Sequence, residues 1–182
     1  MTNTKRPISA VVTGVGHGVP ETILSNADLE KLVDTNDEWI VQRTGIKRRH
    51  VCSKDESASE LAILAAKQAL EQAELSANDL EMVIVATVTG DYMFPSTACL
   101  VQDQIGAGKA SAYDIGAACA GFIYGVHIAD GFIRSGLHKN VLVVGVDVLS
   151  KWSTTPIGRH ASCSETPPAQ CCSKRCRTLT VA

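Results

Sequence analysis

The feature that most limits how this chain can fold is an alternation. Strand-length runs that are apolar on both faces are separated by stretches of helical periodicity. MVIVATVT (82–89) and NVLVVGVDVL (140–149) are apolar and β-branched almost throughout. ISAVVTGVG (8–16) reads as another buried strand, ending in glycines, and ASAYDIGA (110–117) as a further one. SNADLEKLV (25–33) reads as a short helix with Ser25 and Asn26 as candidate caps. NDEWIVQRTGIKRRH (36–50) starts on an Asn/Asp cap and turns at Gly45 into a basic stretch. Ser57 and Glu60 form a capping-box pattern before a helix over about 58–74, whose Leu61, Leu64, Ala65, Ala69 and Leu70 fall mainly on one face. Pro95 and Ser96 open a helix over about 96–105, and another starts at Cys119 and runs to about Ser135. Doubly apolar strands alternating with helices imply an α/β layered fold with a mostly parallel sheet.

The 182 residues suffice for one domain with a real core. A net charge of -2 gives no electrostatic case for nucleic acid. The first residues, MTNTKRP, are polar, and the apolar run after them is short and broken by glycines. That fits neither a signal peptide nor a spanning helix, so a cytoplasmic protein with no membrane partner is expected. Seven cysteines without a secretion signal argue against a disulfide framework.

DIGAACAGFIYGV (114–126) carries the sharpest chemical signal. Cys119 sits where an apolar strand ends and a helix begins, with Ala117, Ala118, Ala120 and Gly121 around it. A tight turn presents the sulfur at the mouth of a pocket. A helix N-terminus stabilises a thiolate, and its backbone N–H groups can stabilise an oxyanion. The bland alternative is a buried, inert cysteine.

TGVGHGVPETILSNADL, VDTNDEWIVQRTGIKRRH, FPSTACLVQDQIGA and DIGAACAGFIYGVHIAD, taken together and in this order, resemble the bacterial β-ketoacyl-acyl-carrier-protein synthase III family over about residues 8–152. The resemblance implies the N-terminal half of a thiolase-like layered fold. It makes Cys119 the acyl-accepting nucleophile and Trp39 the aromatic that stacks on the adenine of coenzyme A. Thr35 and Arg43 then contact the same nucleotide portion. Phe94 would reach across a homodimer interface into the acyl pocket of the other subunit; its alternative is simple core packing. The implied substrates are acyl-CoA and malonyl acyl carrier protein, with no tightly bound cofactor and no metal. The implied reaction is acyl transfer to Cys119, then decarboxylative Claisen condensation to start fatty acid synthesis. A homologue that primes a polyketide pathway is a close variant. In the family a His and an Asn from the second half assist decarboxylation, and none of His17, His50, His127, His138 or His160 lies in that context. This chain is therefore expected to manage at most the first half-reaction, and a non-catalytic truncated product is the alternative. Lys47, Arg48 and Arg49 form a short basic patch, read as a solvated face.

The character changes after Trp152. Residues 153–182 hold three of the six prolines and four of the seven cysteines, but only one Ile, one Leu and one Val. Such a segment buries too little apolar surface to offset its chain entropy, so a disordered tail is expected beside a 1–152 domain. Codons for STTPIGRHASCSETPPAQCC, read one base earlier, are compatible with VDYTDR, a variable residue, TCVLFGD, two small residues and GAVL. The family places such a stretch there, so a single-base deletion near the codon for Trp152 is expected. Strand 140–149 would then lack a neighbour and leave an open edge. A zinc site from His160, Cys163, Cys171, Cys172 and Cys176 is the competing reading, but the spacing is not that of a finger. GVGHG (14–18) imitates a dinucleotide fingerprint, yet Pro20 follows where a helix should start, and a structural loop is the preferred reading.

Overall fold

The computed structural model describes residues 9–151 and 176–181. Seven strands and five α-helices follow in the order β1 (Val12–Gly18), β2 (Ile23–Ser25), α1 (Asn26–Glu30), α2 (Asp37–Thr44), β3 (Arg48–His50), α3 (Ala58–Gln72), β4 (Met82–Ala86), α4 (Thr97–Ile105), β5 (Ser111–Ile115), α5 (Gly121–Ser135), β6 (Val141–Gly145) and β7 (Cys176–Val181). The main sheet has the order β1-β7-β6-β4-β5. β5, β4 and β6 run parallel, and β7 is antiparallel to both β6 and β1. β2 and β3 form a separate antiparallel pair.

β4 and β6 are buried on both faces because helices cover both. Val83, Val85, Leu142 and Val144 pack toward Leu61, Ala62, Ala65 and Ala66 of α3 and Ala98 and Val101 of α4. Met82, Ile84, Val141 and Val143 pack toward Ala129 and Ile133 of α5. Alternate residues of one strand thus serve two cores, which is why these segments read as continuous apolar runs.

The glycines of β1 have a different purpose from the dinucleotide fingerprint they imitate. A Cβ added at Gly14, Gly16 or Gly18 would lie 2.1 Å from the Ala69 carbonyl oxygen, 2.0 Å from that of Ala65 and 2.3 Å from that of Leu61. Two strand residues advance about 6.6 Å and four helix residues about 6.0 Å, so the two spacings keep step along the contact. Gln72 and Gln68, also four apart on α3, accept from the backbone N–H groups of Val15 (2.6 Å) and His17 (2.7 Å). The segment expected to be a loop is therefore part of a strand held against α3. It is not a fully buried strand either, because Val12 and Val15 are exposed.

Local signals place the helix ends. Ser57 caps α3 and both halves of its capping box with Glu60 are present. Asn36 caps α2, whose C-terminus turns at Gly45 with φ 69°. Ser96 caps α4. Leu64 departs from the expected buried face of α3 and is 57% exposed, lying beyond the stripe that meets the sheet. At α1, Ser25 is the cap and Asp28 completes the box, with its carboxylate accepting from the Ser25 hydroxyl at 2.5 Å. The Ser25 hydroxyl, then Lys31, hold the Asp28 pKa at about 2, below the ordinary aspartate value. A carboxylate with a depressed folded pKa stabilises above its unfolded pKa and loses that contribution as pH falls through the folded value. A carboxyl NMR titration should show Asp28 ionised at pH 3, with α1 fraying as pH approaches 2.

Two expectations about the end of the chain change. Cys176–Val181 was expected to lie in a disordered tail, yet it forms β7. Its Arg-Thr-Leu-Thr-Val run has the β-branched content of a strand, a signal outweighed by the prolines and cysteines before it. β6 consequently has neighbours on both sides from this chain, β4 and β7, where an open edge was expected. The rest of the expected tail, 153–175 and residue 182, lies outside the described residues. So do His160, Cys163, Cys171 and Cys172 of the zinc alternative. Among the described residues no group of side chains could hold a metal ion. No helix among them is long and apolar enough to cross a membrane.

Candidate active site

β4, β5 and β6 are parallel and in register at their C-terminal ends, where Ala86 pairs with Ile115 and with Gly145. The loops that follow these strands therefore leave the sheet at one edge, the usual place for a site in a parallel α/β sheet. Backbone bonds stitch that edge: Thr87 N–H donates to Ile115 O (3.1 Å) and Val146 N–H to Ala86 O (3.0 Å). Asp147 accepts from Val88 N–H (3.0 Å), and the Thr89 hydroxyl accepts from Val148 N–H (2.7 Å).

Cys119 stands at this edge. It lies in a 3₁₀ turn, Ala118–Ala120, between β5 and α5, and it is exposed. The expected helix start is thus one tight turn followed by α5. Among the described residues no side chain caps the first turn of α5, and the turn that carries the sulfur leads directly into it. The bland reading of Cys119 as a buried thiol fails on its exposure. Two other described cysteines, Cys52 and Cys99, are half-buried.

The turn is strained at one residue. Ala118 has φ 43°, a left-handed value that a residue with a Cβ adopts at a cost. Such strain at a chemically loaded turn is held in place by its surroundings. Here the anchor is α5, whose Gly121 and Gly125 let the helix lie close on the sheet. A Cβ at Gly121 would be 3.0 Å from Ala86 Cβ, and one at Gly125 would be 2.8 Å from Val143 Cγ1. Gly121, Gly125, Ala129 and Ile133, each four apart, form the buried stripe. That four-residue spacing is visible in the sequence. Ala118→Gly should relieve the turn and raise stability by about 0.5–1 kcal/mol, read as a higher urea midpoint with unchanged slope.

Asp114, at the penultimate position of β5, ties this strand to the helix that follows the Phe94 loop. Its carboxylate accepts from the backbone N–H groups of Thr97 (2.8 Å) and Ala98 (2.7 Å) at the start of α4. Charge-assisted bonds of this kind fix position as well as contributing energy. The sequence reading missed this residue, although a lone acidic group inside an apolar strand was its signal. Phe94 is 89% exposed, beside exposed Tyr92 and Met93, so the core-packing alternative for Phe94 fails.

The other expected residues stand on a separate unit built from β2, α1, α2 and β3. Trp39 and Arg43 lie four apart on α2, with the Arg43 guanidinium 4.4 Å from the Trp39 ring centroid. Trp39 also packs against the small core of Leu29, Ile40 and Leu24. Thr35 is half-buried just ahead of the Asn36 cap. A half-buried indole with a planar cation on its face offers a flat, positively charged platform. Arg49, expected on a solvated face, is instead buried at 1% exposure. Its side chain turns inward from β3 and donates to Asn26 Oδ1 (2.6 Å) and Leu24 O (3.3 Å).

Comparison with known proteins matches residues 113–157 to the family model described as 3-oxoacyl-[acyl-carrier-protein] synthase III. A β-ketoacyl-[acyl-carrier-protein] synthase III of Caldanaerobacter subterraneus subsp. tengcongensis is 54% identical over 144 residues, 79% of this chain and 44% of the relative. One from Desulfitobacterium hafniense is 52% identical over the same shares. The crystal structure of the 3-oxoacyl-[acyl-carrier-protein] synthase III of Aquifex aeolicus superposes with a TM-score of 0.83 at 44% identity, covering 95% of this chain and 53% of that one. The priming β-ketosynthase of the R1128 polyketide biosynthetic pathway superposes at 0.84 with 27% identity, covering 99% and 52%. The chain spans a little under half the length of the curated relatives it matches.

Proposed function

Since the chain belongs to the 3-oxoacyl-[acyl-carrier-protein] synthase III family and has its thiolase-like fold, we propose that Cys119 takes a short acyl group from coenzyme A as a thioester. The observation that carries this is an exposed sulfur at the uncapped start of α5, on the edge where three parallel strands end. The thiolate attacks the thioester carbonyl, the C–S bond to coenzyme A breaks, and the coenzyme leaves as its thiolate and takes up a proton. Backbone N–H groups of the turn and helix start stabilise the oxyanion between these steps. Trp39 stacks on the adenine, and Thr35 and Arg43 hold the nucleotide portion. Phe94 enters the acyl pocket of a second copy, which its exposure on a loop leaving the same edge supports.

For the whole protein, we propose decarboxylative condensation of the acyl group with a malonyl carrier protein in the cytoplasm, starting a fatty acid chain. The resemblance assigns that step to a His and an Asn whose motifs do not occur in these 182 residues, so acyl transfer is the step that the residues present support. We further propose that the stretch after Trp152 is read in a shifted frame. The experiment separates the half-reactions. The chain incubated with acetyl-CoA should release free coenzyme in a single stoichiometric burst. Adding malonyl carrier protein should yield no ketoacyl product. Absence of the burst would overturn the transfer step, and repeated turnover to ketoacyl product would overturn the restriction to it.

A further inference from the structure

We propose that Asn26 and Arg49 are positioning residues for the nucleotide platform of α2, an inference that rests on the reading of Trp39 and Arg43 given above. α2 has eight residues and buries only Ile40. A helix this short and this sparsely packed does not set its own direction. One side chain holds both of its ends. Asn26 is 2% exposed, and its amide nitrogen donates to Asp37 Oδ1 (2.7 Å) at the first residue of α2 and to Ile46 O (2.9 Å) just past its end. The backbone N–H of Asn26 donates to Lys47 O (3.3 Å). Both ends of α2 are therefore held on the same asparagine.

Arg49 determines which way that asparagine faces. Its guanidinium donates to Asn26 Oδ1, which commits the amide nitrogen to Asp37 and Ile46. The Asp37 carboxylate stands one amide away from the buried cation, so Asn26 relays between opposite charges. Glu30 adds a second hold, accepting from Asp37 N–H at 2.7 Å. Trp39 and Arg43 lie two and six residues beyond Asp37. A tilt of α2 displaces the indole and the guanidinium together, and small displacements of a recognition surface cost affinity steeply.

The test measures equilibrium binding of coenzyme A to the full chain and to four variants. Asn26→Leu should weaken coenzyme A binding by about tenfold or more, because the relay is lost while the branched side-chain shape is kept. Asn26→Asp sets a second carboxylate against Asp37 and should weaken binding by a similar factor of about ten. Asp37→Asn in that background restores one amide and one carboxylate in exchanged places, and should recover at least about threefold. A merely structural loss at Asn26 has no reason to be rescued from Asp37. Trp39→Ala tests the platform itself. If it weakens binding while both Asn26 variants bind as the parent does, the positioning role is overturned and the platform stands. If the double variant recovers nothing, the relay is overturned. If Trp39→Ala binds normally, or the parent binds no coenzyme A, the platform reading falls and this inference with it.

Discussion

Cys119→Ala should abolish the release of coenzyme A from acetyl-CoA, with an expected rate loss of about 10³-fold or more, while leaving coenzyme A binding within about twofold. Covalent capture needs a nucleophile at one position, and neighbouring groups cannot stand in for it. Cys52 and Cys99 are half-buried, and Cys99 is engaged at the start of α4, where the Ser96 hydroxyl donates to its sulfur at 3.2 Å. Binding should survive, because the platform proposed for the nucleotide, Trp39 and Arg43, lies on α2, an element separate from the turn at Ala118–Ala120. Stopped-flow assay of free thiol and equilibrium dialysis measure the two effects separately. A variant that still released coenzyme A at the parental rate would place the chemistry elsewhere.

Gly16→Val should destabilise the chain by about 3 kcal/mol or more, enough to unfold a domain of ordinary stability under mild denaturant. The first carbon of any side chain at this position meets the Ala65 carbonyl oxygen at 2.0 Å. That oxygen belongs to the backbone of α3 and has no rotamer by which to retreat. Gly14 and Gly18 sit in the same relation to Ala69 and Leu61, so β1 would lift along its length. Gly108→Ala is the control: nothing lies within 4 Å of its added carbon, and its effect should stay within about 0.5 kcal/mol. Urea denaturation of both variants decides the matter, and equal midpoints would show that the close contact is not what holds β1.

Much of the fold could be read from pattern, because the pattern reports burial. The runs at 82–89 and 140–149 are apolar on both faces, and β4 and β6 are covered on both faces. Caps at Ser57, Asn36 and Ser96 could be read because a hydroxyl or amide ahead of a helix has one common use there. Three things could not be read. β7 escaped because strand pairing is non-local: Thr178 and Thr180 gain their meaning from β6 and β1, far away in sequence. The glycines of β1 matched the wrong motif because close approach to a helix and close approach to a phosphate ask the same thing of a residue. Arg49 was assigned to solvent because charge usually lies there, and only the fold reveals that Asn26 waits beneath it.

The site divided in a similar way. The sequence places Cys119 among small residues at a strand-to-helix junction, and the structure has it there, exposed in the turn Ala118–Ala120; its acyl-accepting role is the proposal made above. Asp114 and the Gly121–Gly125 spacing leave marks in the sequence, a lone acid in an apolar strand and small residues four apart, but the elements they act on, the start of α4 and the sheet, are set by tertiary packing.

The most direct test of the account is to map where acetyl is carried after brief exposure of the parent chain to acetyl-CoA, by digestion and peptide mass spectrometry. One acetyl group on the peptide containing Cys119, labile to hydroxylamine as a thioester is, is the expected result. An unmodified Cys119 peptide, or acetyl spread over Cys52 and Cys99 as much as Cys119, would contradict it.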